Sequence, residues 1–95
     1  MKVVLFACVE NSFGSKIAEA YFNKFAPEKW KAISAGIRPA EKVHPNAILL
    51  MREEGIDVSH EKPQLLTREL QTKAEVAVIV CGSDECPVVY AKHVE

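Results

Sequence analysis

Three short apolar runs punctuate the chain: Lys2 to Ala7 (KVVLFA), Trp30 to Ala35 (WKAISA) and Glu75 to Val80 (EVAVIV). The first and third run through apolar residues without polar alternation. That pattern predicts strands buried on both faces, as in a parallel sheet. Between the runs the period lengthens. Ser15 to Phe25 sets Ala18, Tyr21, Phe22 and Phe25 on one helical face, and Pro27 stops it. Pro45 opens a second helix that carries Ala47, Ile48, Leu50 and Met51 and ends near Gly55. Thr67 to Leu70 reads as a short helix with a capping threonine. Val88 to His93 reads as a last short helix, and Trp30 is assigned to the core.

The predicted order is β-α-β-α-(α)-β. Strands alternating with helices imply an α/β fold with a parallel sheet and right-handed crossovers. Ligands of such sheets bind at the carboxyl ends of the strands. That edge gathers Cys8–Ser15, Gly36–Arg38 and Cys81–Cys86, so all three cysteines fall on it. The third strand is as apolar as a central one and should have a further neighbour. Either a partner chain covers that edge, or the chain is a shortened form of something larger.

Length and charge narrow the classes. The 95 residues predict one domain spanning 1–95. Hydrophobic residues at 48% and charged residues at 26% fit a globular chain and exclude disorder and collagen-like structure. Lys+Arg 12 against Asp+Glu 13 leaves a net charge of −1, so no basic surplus points to nucleic acid. No apolar run approaches the roughly 18 residues of a membrane span. Met1 to Ala7 reads as a strand rather than a signal peptide, and the expected location is cytoplasmic. In a reducing compartment an odd number of cysteines points to reactive or buried thiols rather than staples.

The loop after the first strand carries the candidate chemistry: Cys8, Val9, Glu10, Asn11, Ser12, Phe13, Gly14 and Ser15. A loop between a buried strand and a helix start points backbone N–H groups at one centre, and the helix dipole adds positive potential. A tetrahedral oxyanion fits such a cradle. The same dipoles favour a thiolate at Cys8. Asn11 can brace the loop, and the Ser15 hydroxyl can donate to the Cys8 sulfur. From spacing alone, a buried cysteine followed by an ordinary turn stays open as the plainer reading.

VLFACVENSFGSKIAEAYF resembles the opening of the low-molecular-weight protein tyrosine phosphatase superfamily, in particular its thioredoxin-coupled arsenate reductase branch. Ile33-Ser34-Ala35-Gly36, Val43-His44-Pro45, Gly55-Ile56-Asp57 and Leu66-Thr67 follow in the family's order. The resemblance implies a flavodoxin-like fold, a nucleophile at Cys8 and an oxyanion loop over residues 8 to 15. It also implies a domain without the family's last strand and helix, shortened at its C-terminus.

Two departures stand out. The family's loop arginine falls on Gly14, and no Asp-Pro pair follows the third strand to supply a general acid; Asp84 is the nearest acidic residue. Losing one anion donor costs about 10²–10³ in rate, and losing the acid about 10²–10⁴ more. Efficient phosphate ester hydrolysis is therefore not expected. Arsenate, whose oxygens exchange readily, asks less of the acid. Arg38 is a candidate replacement cation, against the plainer reading of a solvent-facing arginine. Lys16, at the helix start, is expected to face solvent.

Cys81 and Cys86 occupy the loop where the reductase branch carries two further cysteines. The resemblance implies a relay in which Cys8 attacks arsenate, a second cysteine attacks Cys8 and releases arsenite, and a third closes a disulfide that thioredoxin reduces. Open alternatives are a buried Cys81, or zinc on Cys81, Cys86 and His93. His44 and His60 read as cap and loop residues, and Asp57 as the brace of the Gly55–Ser59 turn. The leading expectation is an arsenate reductase-like enzyme with a thioredoxin-like reductant and no cofactor. A degenerate oxyanion-binding protein and a tyrosine phosphatase are the alternatives. A homodimer, or poor solubility, is expected from uncovered apolar surface on the first helix.

Overall fold

The computed structural model describes residues 2–80 and 93–94. The elements are β1 (Lys2–Cys8), α1 (Gly14–Phe25), β2 (Trp30–Gly36), α2 (Pro45–Glu53), α3 (Arg68–Lys73), β3 (Val76–Ile79) and β4 (His93–Val94). All strand pairs are parallel and the order is β2-β1-β3-β4. This is the flavodoxin-like arrangement of a parallel sheet flanked by helices. β1 is central, with Cys8 opposite Gly36 and Ala7 opposite Ile79.

Strand alternation sorts the two faces. Leu5, Ala7, Ala35 and Ala77 form one core with Ala74, Leu66 and Leu70 around α3. The opposite face carries α1, whose Phe22 ring meets Phe6 edge-on at 6.1 Å. α2 lies outside α1, and Ala20, Val43, Ala47, Met51 and Val58 fill the space between them. Gly55, at φ +76°, ends the α2 turn in a conformation that suits glycine. Thr67 caps α3 through its hydroxyl, and Asp57 braces its turn by accepting from both Ser59 N–H and Oγ.

β2 is an edge strand, and the chain seals it. The Asn23 side chain takes both the N–H and the C=O of Ala32. Gln64 Nε2 donates to Ser34 O, Gly36 N–H donates to Gln64 O, and Leu66 N–H donates to Gly36 O. These bonds occupy much of the ladder that an edge strand would otherwise offer a second chain.

Four expectations change. His93 lies in β4 rather than in a helix, and β4 gives Val76 and Ala77 the neighbour that the apolar third strand required. The sheet thus has a two-residue fourth strand where the sequence reading has none. Trp30 is only half-buried, at the rim of an open apolar groove, with Lys2 Nζ over its ring at 5.4 Å. The fully buried residues of α1 are Ser15, Lys16, Glu19 and Ala20, whereas Phe25 is 72% exposed. The helix is wedged between the sheet and α2 so that a polar flank is enclosed, while Ala18, Tyr21 and Phe22 are only partly buried.

Candidate active site

β1 delivers Cys8 to the carboxyl edge of the sheet, and the chain turns through residues 9–13 before α1 begins at Gly14. The turn is pinned from outside. The carbonyl oxygens of Cys8, Val9, Glu10 and Ser12 accept from the N–H groups of Ile37, Arg38, Ala40 and His44 at 3.2, 2.8, 3.0 and 2.9 Å. A trans peptide holds its C=O and the following N–H on opposite sides. The N–H groups of Val9, Glu10, Asn11 and Phe13 therefore turn the other way, into the concavity. That of Asn11 reaches Cys8 Sγ at 2.9 Å. An N–H nest at a helix N-terminus is a site for a tetrahedral anion.

The nucleophile candidate sits inside a braced cluster. Ser15 Oγ lies 2.8 Å from Cys8 Sγ and accepts from Asn11 Nδ2 at 2.9 Å. With Cys8 as a thiolate, the Ser15 hydrogen points to sulfur. Asn11 Oδ1 in turn accepts from Gln64 N–H at 2.9 Å. Asn11 is fully buried and holds φ +53°, a left-handed conformation that asparagine tolerates better than most residues. Gly36 lies against this turn.

The structure thus brings together Cys8, Val9, Glu10, Asn11, Ser12, Phe13, Gly14 and Ser15 as one loop. Phe13 is partly exposed, and its ring meets that of His44 edge-on at 5.4 Å. His44 caps α2, its Nδ1 accepting from Asn46 N–H. Arg38 is tied to the loop through its backbone, and its side chain is exposed. Cys81, Asp84 and Cys86 lie outside the described residues, as does the His93 side chain. Among the described residues no group of three His, Cys, Asp or Glu side chains could hold a metal, and no helix is long and apolar enough to cross a membrane.

Lys16 corrects the sequence reading. Its side chain is 4% exposed, and Nζ lies 3.3 Å from Glu61 Oε1 and 3.7 Å from Glu19 Oε2. The segment after α2 reaches Lys16 through Glu61, so the buried lysine turns its charge to the two carboxylates. Burial pushes the Glu19 carboxyl up to about 7; the neighbouring Glu61 adds to this and Lys16 opposes it. Among the described residues Glu19 Oε2 and the buried Ser34 Oγ find no hydrogen-bond partner. Gln64, Glu19, Ser34 and Glu61 were not candidates from sequence. Glu19 is an i,i+3 neighbour of Lys16; the Gln64–Asn11, Gln64–Ser34 and Glu61–Lys16 contacts span 53, 30 and 45 residues, and no local pattern announces them.

The profile of the low molecular weight phosphotyrosine protein phosphatase family matches residues 3–94. The chain belongs to that family. Within it, arsenate reductase 1 of Bacillus cereus is 40% identical over 88 residues, covering 90% of this chain and 65% of that protein. The arsenate reductase of Halalkalibacterium halodurans is 41% identical over 88 residues, covering 90% and 63%. A thioredoxin-dependent arsenate reductase of Corynebacterium glutamicum superposes with TM-score 0.85 at 31% identity, covering 99% of this chain and 47% of that one. This phosphatase-family chain thus spans a little under two thirds of the length of those curated relatives.

Within the family frame, Gly14 is the anomaly. A Cβ there would meet only Val80 Cγ1, at 3.2 Å. The contact is with a side chain that can give, and Gly14 itself is exposed. Packing therefore does not demand glycine at this position as it does at Gly36.

Proposed function

We propose that the chain is an arsenate reductase-like enzyme. The supporting observation is the Cys8–Asn11–Ser15 cluster beneath an N–H nest, in a chain whose named relatives are arsenate reductases. Cys8 sulfur attacks arsenate, an As–S bond forms, and an arsenic-bound oxygen leaves as water. A second cysteine thiolate then attacks Cys8 sulfur. The As–S bond breaks, its electron pair stays on arsenic, and arsenite departs as a disulfide forms. Cys81 and Cys86 are the partners in this relay, and the last disulfide is reduced by a thioredoxin-like protein. Such a relay runs in a reducing compartment, which places the chain in the cytoplasm.

Arg38 is the compensating cation in this proposal. Its backbone is held to Val9, beside the anion cradle that lacks an arginine at Gly14. Gly14 also favours a second reading, an oxyanion holder without chemistry. Intact mass separates the two. Arsenate added without reductant should remove two of the three free thiols. An unchanged thiol count would overturn the reductase and leave the anion holder.

A homodimer belongs to the same proposal. An open groove of about 460 Å³, lined by Val4, Phe6, Phe22, Pro27, Trp30, Val76 and Val78, supports self-association on the α1 face.

A further inference from the structure

We propose that Lys16 and Glu61 are positioning residues for Cys8, their part-buried ion pair holding segment 61–64 against α1 so that Gln64 can hold Asn11. The inference rests on the reading of Cys8 as the nucleophile.

The contacts form a closed circuit. Lys16 directly follows Ser15, whose hydroxyl touches Cys8 Sγ. Its Nζ crosses to Glu61 at 3.3 Å, a bond between residues 45 apart in the chain. Three residues beyond Glu61, Gln64 N–H donates to Asn11 Oδ1. Asn11 then returns to Cys8 through its N–H and to Ser15 through Nδ2. Gln64 also ties the circuit to the edge of β2 through Ser34 O and Gly36 N–H.

The bond to Asn11 is one backbone hydrogen bond from segment 61–66. The far end of that segment is fixed to the β2 edge through Gln64 and Leu66. Glu61 fixes its near end, because its carboxylate meets an ammonium that has little access to water. The ammonium depends on Glu61 in turn. With Lys16 covered, removing Glu61 leaves the lysine only the Glu19 carboxylate, paired at 3.7 Å without a hydrogen bond. The lysine is the member with no good alternative, since Glu61 keeps some access to water.

Three variants test the proposal: Lys16→Met, Glu61→Gln and the double variant. The first readout is the rate at which iodoacetamide alkylates Cys8 at neutral pH, resolved from Cys81 and Cys86 by peptide mass. The second is hydrogen exchange at the Gln64 amide. Each single variant should slow Cys8 alkylation about tenfold and speed Gln64 exchange, and the double should do no worse than the slower single. Glu61 is 29% exposed, so Glu61→Gln is the variant expected to stay folded whatever Lys16→Met does. A folded Glu61→Gln chain with unchanged Cys8 alkylation, or with Gln64 protection intact, overturns the proposal. A parent in which Cys8 reacts no faster than in the urea-unfolded chain overturns the nucleophile reading instead, and this inference with it.

Discussion

A methyl group on Gly36 would lie 2.5 Å from the carbonyl oxygen of Val9. It would also come within 2.9 Å of Asn11 N, the donor to Cys8. Both neighbours are backbone, so neither can swing aside. Gly36→Ala should therefore destabilise the fold by about 1–3 kcal/mol and distort the anion cradle. Urea unfolding measures the first effect and phosphate titration the second. Full phosphate affinity in the variant would mean that the loop is more compliant than its hydrogen bonds imply.

Asn11 joins three partners. Asn11→Ala strips the acceptor from Gln64 N–H and the amide donor from Ser15, with a cost of about 1–3 kcal/mol. It should also slow alkylation of Cys8. Asn11→Asp keeps the acceptor for Gln64 but sets a carboxylate beside the thiolate. It should retain more stability than the alanine variant while reacting as slowly or more slowly.

Gly14→Arg has room, since only Val80 Cγ1 lies close. A charge-assisted hydrogen bond contributes about 1.5–3 kcal/mol, so arsenate and phosphate should bind about 10- to 100-fold more tightly. Titration of the loop amide resonances checks this. Phosphatase activity in the variant, with none in the parent, would identify this position as the one that silences ester hydrolysis.

Glu19 predicts a pH dependence. Its folded carboxyl titrates near 7, above the ordinary value of 4.5. Between those values the folded state holds the proton more tightly than the unfolded chain. The contribution of Glu19 to stability is therefore full below about pH 4.5 and is lost as pH rises through 7. Lys16, Glu61 and Ser34 face it and remain in Glu19→Gln, which cannot ionise. That variant should match the parent near pH 4.5 and melt higher than the parent at pH 8. An equal difference in melting temperature at both pH values would contradict the assignment.

The groove between α1 and β3 predicts self-association. Sedimentation should show a dimer at micromolar concentration, and Val78→Glu, on the groove wall, should return it to monomer. A monomeric parent would remove the dimer from the proposed function.

The layout of the elements was legible along the chain. Apolar runs, helical spacing and the punctuation of Pro27, Pro45 and Gly55 placed β1, α1, β2 and α2 within a residue or two, because those signals are local. The same order brought Cys8 and the loop to Ser15 to the sheet's carboxyl edge, since a parallel βαβ unit leaves a strand nowhere else. The rest came from which elements pack on which. Lys16 read as solvent-facing because a lysine in a helix's first turn usually finds water. Here Lys16 is buried and its ammonium meets Glu61, which arrives from a distant segment. Gln64 carried no signal, because it acts through a backbone N–H that any residue but proline owns. His93 joined a strand because an uncovered β3 edge outweighs the local preference of a short segment. Spacing along the chain can point to a nucleophile and its cradle. The partners that hold it in place come from distant segments and become visible only when the chain folds.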